Sequence, residues 1–487
     1  MTADLLRDLK RVHFIGIGGS GMSGIALVAQ AAGIQVSGSD LKQSEYMQAL
    51  LRAGLDISVP HNAANVADPD IEVVVVSTAI PDDNPELVAA RQRGLTFWPR
   101  ARMLAYLGRQ RQTLAVAGTH GKTTTSAMLA SALVHLGADP TLLIGGVVEE
   151  FDSTAKVGDG SYFVVEADES DGSFVWLDPS VAIITNIEAD HMDHYKSIDE
   201  VHVAFTAFLA KLDPAGVAVV CADSPELLSL AEKTGHDLLT YGLAADAQVR
   251  CEPGGGGADA GGIAGVAGGR NAEDGSSFAV AFPDGQRVSL RLEHSPGLHN
   301  MVNATAVMAT LDYLGFEREA AARAVSGFRG VHRRFQIKGV AKGVTVVDDY
   351  GHHPTEVAAT LKAASELGYN RVHVLFQPHR YTRTQAFVEE FGAAFDHADT
   401  ITLMEIYSAG EEPIAGIDSA LLLAAVQAHD PQANIRLLSQ RFEVAAAMAA
   451  AAAPGDLIIT MGAGDVTNLG PEILQILNTD QGGDAQQ

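Results

Sequence analysis

Only two cysteines, Cys221 and Cys251, occur in 487 residues, so neither a disulfide framework nor a cysteine-based metal site is available. That economy suits a reducing compartment. Basic residues are also scarce: 33 Lys and Arg stand against 60 Asp and Glu, a formal net charge of −27. Such a surface repels nucleic acid and anionic membranes, although an anionic metabolite can still enter a locally basic cleft. No run of 18 apolar residues appears, and the alanine-rich stretch 445–456 is too short and too weakly hydrophobic to span a bilayer. Charges run through the first ten positions with no apolar core and cleavage site after them, so no signal peptide is expected. These absences leave a soluble cytoplasmic protein, without nucleic acid or membrane insertion, as the expectation.

What is present is a globular composition, 47% apolar and 19% charged, in a chain too long for one core. Strand and helix signals alternate in three successive stretches. VHFIGIG, IQVSGSD and IEVVVVSTA mark strands of the first; TLAVAG, YFVVEADESD and VAIITNIEADHMDHY mark strands of the second. VTVVDDY, RVHVLFQPHR, TITLMEIY and GDLIITMGAG do so for the third, each an apolar run ending in polar or glycine residues. Continuous apolar runs of this kind fit parallel sheets covered on both faces. Three α/β domains follow, over 1–108, 109–330 and 331–487. Between 252 and 275 the composition turns to glycine and alanine, which reads as a flexible surface insertion.

Gly16, Gly18 and Gly21 complete a G-x-G-x-x-G between a strand and a helix, with Asp40 closing the next strand. Glycines there let the backbone approach a diphosphate, and the helix N-terminus offers unpaired amides and a positive dipole. NAD and other nucleotide diphosphates fit equally, and Asp40 can bind a ribose hydroxyl or cap a turn. In the second stretch AVAGTHGKTTT sets Gly-Lys-Thr between a strand and a helix, but Val116 stands where G-x-x-x-x-G-K-[ST] has its first glycine. Gly118 and Gly121 still allow a tight turn, Lys122 supplies a point charge, and Thr123 and Thr124 offer hydroxyls for Mg²⁺. A lysine in a first helical turn opposes the dipole unless an anion sits there.

Acids gather at two neighbouring strand ends. Glu166, with Asp168, Glu169 and Asp171 close behind, supplies hard oxygen donors suited to Mg²⁺. His191 stands among Glu188, Asp190, Asp193 and His194, and the two histidines could give zinc two nitrogens. In the third stretch DDYGHHPTE begins where a strand ends, and QPHRYTRT places Arg380 and Arg383 three apart, a spacing that lets both address one carboxylate. HSPGLHNMVNA and HRRF add Asn300, Asn303 and Arg333, able to read a base or steady phosphates. Two anion sites, a magnesium-ready nucleotide loop and a carboxylate clamp point to ATP-driven joining of two substrates, in which alignment and charge neutralisation do the catalysis.

In order along nearly the whole chain, HFIGIGGSGMSGIA, GTHGKTTT, EADESDGSF, TNIEADHMDHY, GLHNMVNA, RRF, DDYGHHPTE and QPHRYTRT resemble the motifs of the Mur ligases of peptidoglycan synthesis. That family's shortened G-T-x-G-K-T loop accounts for Val116. The resemblance, within the alanine-adding branch, implies a Rossmann-like first domain, a P-loop-type central ATPase domain and an α/β C-terminal domain. It implies that Gly18, Gly19, Ser20 and Gly21, with Asp40, hold the UDP part of UDP-N-acetylmuramate, which demotes NAD. Gly118, Thr119, His120, Gly121, Lys122, Thr123 and Thr124 would cradle ATP. Thr124 and Glu166 would hold one Mg²⁺ and His191 a second. Asn300 and Asn303 would lie near adenine, and Arg333 and Asp349 would take phosphate and ribose. Tyr350, His352, His379, Arg380 and Arg383 would surround L-alanine and the γ-phosphate, with Lys122, Glu166, His191, His352 and Arg380 closest to the chemistry. No lysine matches the carbamylated lysine of relatives that make later additions. A monomer or homodimer is expected.

Overall fold

The computed structural model describes residues 8–44, 46–77, 79–192, 194–254 and 276–479. The glycine-rich insertion lies from residue 255 outside the described residues, as does Asp193. Two compact units divide the chain: Met1–Glu252, Val280–Val288 and Val302–Phe328 form one, and Pro253–Ala279, Ser289–Met301 and Arg329–Gln487 the other.

The first unit opens with five parallel strands, in the spatial order Asp56–Ser58, Gln35–Ser39, Arg11–Ile15, Val73–Val76, Thr96–Pro99. The chain order 3-2-1-4-5 reverses direction beside Arg11–Ile15, the place where doubly wound sheets open a crevice for ligands. Helix Ser20–Ala31 follows the first strand directly, with Gly19 as its N-cap. Next comes a ten-stranded sheet whose middle runs Val217–Cys221, Val181–Ile184, Gln112–Ala117, Tyr162–Glu166, Thr141–Val148, all parallel. Leu114, Ala115, Val116, Val164, Val165, Ile183 and Ile184 are fully buried, consistent with a sheet covered on both faces. Helix Lys122–His135 buries Met128, Leu129 and Leu133, so the loop ahead of it is held by an anchored element.

The second unit is built on six strands in the order Gln336–Ala341, Val344–Asp349, Leu457–Met461, Val372–Phe376, Thr400–Leu403, Ile435–Leu437, with an antiparallel edge at the first. Successive residues alternate across the sheet. Val347, Val374 and Ile459 join one apolar cluster with Leu361 and Phe391, whereas Val346, Leu375 and Ile458 join another with Leu469 and Ile473. Helices therefore cover both faces, and the continuous apolar runs read from the sequence are central strands. The strands expected at VTVVDDY, RVHVLFQPHR, TITLMEIY and GDLIITMGAG are all present. Among the described residues no helix is long and apolar enough to cross a membrane.

Ile459 is fully buried in the middle of this sheet. Ile459→Ala should destabilise the second unit by about 2–5 kcal/mol in chemical denaturation. Val340→Ala, on the exposed edge strand with 64% of its surface accessible, should change stability by no more than about 0.5 kcal/mol.

Candidate active site

At the first sheet, Gly16 takes φ +83°, a conformation that a side chain would strain. The carbonyl of Ser39 accepts from the Gly16 amide at 2.8 Å and the Ile17 amide at 3.0 Å. Asp40 turns its Oδ2 to the amide of Gly18 at 2.9 Å and its Oδ1 to that of Leu41 at 2.7 Å. A side chain on Gly18 would meet Ser44 Oγ at 2.8 Å, and one on Gly21 would meet Arg100 Nη1 at 2.6 Å. Asp40 thus shapes the glycine loop, with lone pairs remaining on each oxygen.

The second loop is tight. Gly118 at φ +136° leaves no room for a Cβ, which would stand 3.0 Å from the Asn186 amide, and Gly121 at φ +81° lies against Asn303. Asn186 receives the His120 amide at 2.8 Å and donates to the His120 carbonyl at 3.0 Å. Thr119 Oγ1 accepts the amide of Glu188 at 2.8 Å. Lys122 Nζ spends its protons on the carbonyls of Gly118 (2.6 Å) and Thr119 (3.0 Å) and on Glu169 Oε1 (2.8 Å). Burial opposes the ammonium charge, but Glu169, Asp168 and Glu166 outweigh it and keep Lys122 protonated. Burial pushes the Glu169 carboxyl up to about 7, with Lys122 pulling against it and Asp168 adding to the rise.

Glu166 ends its strand beside this loop. Its Oε1 accepts from Thr123 Oγ1 at 2.9 Å and its Oε2 from the Gly145 amide at 2.7 Å. The hydroxyl that meets the carboxylate is thus that of Thr123. His191 faces Glu169, with Nε2 3.7 Å from Oε1, and Asp190 Oδ2 lies at the same distance. His194 turns away, its ring edge-on to Tyr195 and close to Gly172. Burial pushes the Asp168 carboxyl up, but Lys122 and Arg100 outweigh that and hold it at about 2; Arg100 Nη2 is 3.1 Å away.

In the second unit Arg333 donates from Nη2 to the carbonyls of Gly462 (2.6 Å) and Gly464 (3.1 Å), and its Nε lies 3.4 Å from buried Asp348. Asp349 accepts the amides of Gly351 at 2.7 Å and Phe335 at 2.8 Å. Its burial pushes the carboxyl up to about 6 against the pull of Arg334 and those two amides. Tyr350, His352, His379 and Tyr407 form a chain of rings with successive centroids 5.3, 5.7 and 5.8 Å apart. Burial, with Arg383 and Arg380 nearby, lowers His379 to about 4, so a neutral imidazole faces Arg383 Nη1 at 3.4 Å. Asn300 donates to the Pro296 carbonyl at 2.9 Å. His191, Arg333 and Arg380 all adopt positive φ, at 55°, 60° and 69°. Such backbone is held only where the surroundings over-determine it, and it gathers at functional sites.

Residues 11–112 match the profile described as "Mur ligase family, catalytic domain", 116–311 the "Mur ligase middle domain" and 333–464 the "Mur ligase, glutamate ligase domain". A UDP-N-acetylmuramate–L-alanine ligase of Anaeromyxobacter dehalogenans is 45% identical over 96% of this chain and 98% of its own. The chain belongs to the Mur ligase family. A ligase of the same description from Pelotomaculum thermopropionicum is likewise 45% identical, over 97% of this chain and 99% of its own. Among solved structures, the UDP-N-acetylmuramate-alanine ligase of Thermotoga maritima superposes with a TM-score of 0.77 at 29% identity, covering 96% of this chain and 99% of its own. A murein peptide ligase of Psychrobacter arcticus gives 0.68 at 25% identity, covering 98% and 100%. The three-domain Mur ligase architecture of α/β domains holds along this chain.

Within this Mur ligase, sequence reasoning listed Glu169 only as one acid among several and passed over Asn186, Gly145 and the Gly462–Gly464 carbonyls. Gly145 offered no motif at all; its role shows only in three dimensions, where a Cβ would lie 2.7 Å from Glu166 Oε2. Gly145→Ala should displace that carboxylate and lower kcat by at least about tenfold, with the thermal midpoint nearly unchanged because the position is exposed. Steady-state turnover beside a thermal melt checks both parts.

Proposed function

We propose that this Mur ligase joins L-alanine to the lactyl carboxylate of UDP-N-acetylmuramate, driven by ATP, as the first amino-acid addition in peptidoglycan precursor synthesis. Relatives bearing that activity in their names share 45% of its residues over almost their whole length. The observation that carries the chemistry is Lys122, a buried ammonium in a glycine turn at a helix start, with Glu166 and His191 on flanking strand ends. A carboxylate oxygen attacks the γ-phosphorus, the bond to ADP breaks, and the resulting acyl phosphate receives the alanine amine. The C–N bond forms, phosphate leaves, and the amine gives up its proton.

The first parallel sheet is read as a Rossmann-like domain for the sugar nucleotide (1–108), bound through Gly18, Gly19, Ser20, Gly21 and Asp40. The second is read as a P-loop-type ATPase domain (109–330), and the third as the amino-acid domain (331–487). Gly118 to Thr124 cradle the ATP phosphates, with the Lys122 ammonium exchanging its Glu169 contact for a phosphate oxygen. Asn300 and Asn303 serve the base, and Arg333 and Asp349 the phosphate and ribose. Tyr350, His352, His379, Arg380 and Arg383 take L-alanine, a neutral His379 adding no further positive charge beside the two guanidiniums that would face its carboxylate.

Mg²⁺ fits the donors present: the Glu166 carboxylate and a threonine hydroxyl are hard oxygens, and buried Glu169 Oε2 has no hydrogen-bond partner among the described residues. We assign the hydroxyl to Thr123, which touches Glu166, with Thr124 beside it, and a second cation to His191. Bound there, the ion would neutralise phosphate charge. The enzyme is read as cytoplasmic, a monomer or homodimer.

Phosphate release by the purified chain should require ATP, UDP-N-acetylmuramate and free L-alanine together. Productive use of a peptide instead of the free amino acid would overturn the assignment in favour of peptide ligation. Lys122→Ala should lower kcat by about 10²–10³-fold with the fold kept, since it removes charge aimed at the transferred phosphate. Arg380→Ala should raise KM for alanine by at least about tenfold, the worth of a charge-assisted hydrogen bond. An unchanged KM for alanine would argue against the clamp.

A further inference from the structure

Beneath the glycine loop lies a carboxylate that the proposed chemistry does not use. Glu86 sits in the first turn of helix Pro85–Gln92, capped by Asn84, whose Oδ1 accepts the Glu86 amide at 2.9 Å. It is fully buried. An isolated carboxylate so placed is strongly unfavourable, and its presence demands donors. It has five. Oε2 accepts from Ser39 Oγ and from His13 Nε2 at 3.2 Å. Oε1 accepts from the Asn62 amide at 2.9 Å and Asn65 Nδ2 at 2.6 Å, with His61 Nδ1 at 3.6 Å. Burial pushes the carboxyl up, yet the bonds from His13, Ser39, Asn62 and Asn65 together hold it down to about 2.

These partners come from three different strands or the turns that leave them. His13 belongs to Arg11–Ile15, Ser39 ends Gln35–Ser39, and residues 61–65 follow Asp56–Ser58. Ser39 is the link to the loop. Its hydroxyl gives its one proton to Glu86 and its oxygen faces His61 Nδ1 at 2.9 Å, while its carbonyl holds the Gly16 and Ile17 amides. The next residue, Asp40, holds the Gly18 amide and donates its own amide to Ser58 at 3.2 Å. One buried charge thus ties the middle of the first strand to the carboxyl ends of the two strands beyond it, the edge where such sheets bind ligands.

We propose that Glu86 is a positioning residue of the sugar-nucleotide site, holding Ser39 and the 61–65 turn so that the glycine loop is preformed for a nucleoside diphosphate. The proposal rests on the reading of the Gly16–Gly21 loop as the UDP site. A Glu86→Gln side chain has the same shape, but its amide NH₂ set at Oε2 makes Ser39 and His13 reverse their hydrogen bonds, and set at Oε1 it opposes the Asn62 and Asn65 N–H donors, so the arrangement must shift. It should raise KM for UDP-N-acetylmuramate, and the dissociation constant of UDP measured by calorimetry, by about tenfold, while KM for ATP moves less than about twofold. Ser39→Ala, which cuts the link but leaves the carboxylate its other donors, should weaken UDP about threefold and keeps the question answerable if Glu86→Gln does not fold. Unchanged UDP binding in both variants, or an equal rise in the KM for ATP, would make Glu86 a general scaffold residue and overturn the proposal. Failure of the unaltered protein to bind UDP would instead overturn the reading of the loop itself.

Discussion

The pairing of strand Gln112–Ala117 with its two neighbours sets the place of the groups proposed to handle the phosphates of ATP. Val116 stands opposite Glu166 on one side and Ile183 on the other. The three chains leave the sheet at one level, stitched by bonds from the Ala167 amide to the Val116 carbonyl (2.8 Å), Thr185 to Ala117 (3.0 Å) and Thr119 to Asn186 (3.0 Å). Lys122, Glu166, Glu169 and His191 meet because of that register. A slip of one residue would carry each side chain to the opposite face.

The same pairing explains why Val116 stands where the standard phosphate-loop pattern has a glycine. Val116 is not a loop residue: it lies fully buried within the strand, hydrogen-bonded into the ladder on both sides. A glycine there would remove packing and leave the turn unchanged. The turn is made by Gly118 and Gly121 alone, and the carbonyls of Gly118 and Thr119 fold back onto Lys122. With the helix start pressed that close to the strand, four residues suffice between them.

Much of this was legible in the sequence because each chemical cluster follows an apolar run: VVEADESD and IITNIEADHMDHY announce both a central strand and its polar end. Spatial order was not legible. Tyr162–Glu166 and Val181–Ile184 flank Gln112–Ala117 although two further strands intervene in the chain, and nothing local encodes which strands become neighbours. Side-chain direction was equally hidden. Asp40 and Asp349, both at strand ends, turn to backbone amides of glycine-bearing loops, Gly18 for one and Gly351 for the other. Thr123 and Thr124 are indistinguishable as letters, yet only one of them is seen bonded to Glu166.

Two buried glutamates show how environment, and not residue type, divides structure from chemistry. Glu86 is surrounded by donors on both oxygens, so its charge is fully satisfied and has no reason to move. Glu169 is nearly as buried but leans on a single ammonium at Oε1, while Oε2 has no partner among the described residues. Its carboxyl is pushed up and not down. An arrangement of the first kind is rigid because any displacement breaks several bonds at once. One of the second kind is poised, because the ammonium that stabilises it can be drawn to a stronger anion. A phosphate bound at the loop as proposed would compete for Lys122 against one carboxylate already weakened by desolvation and by Asp168 beside it, and so that contact is arranged to yield.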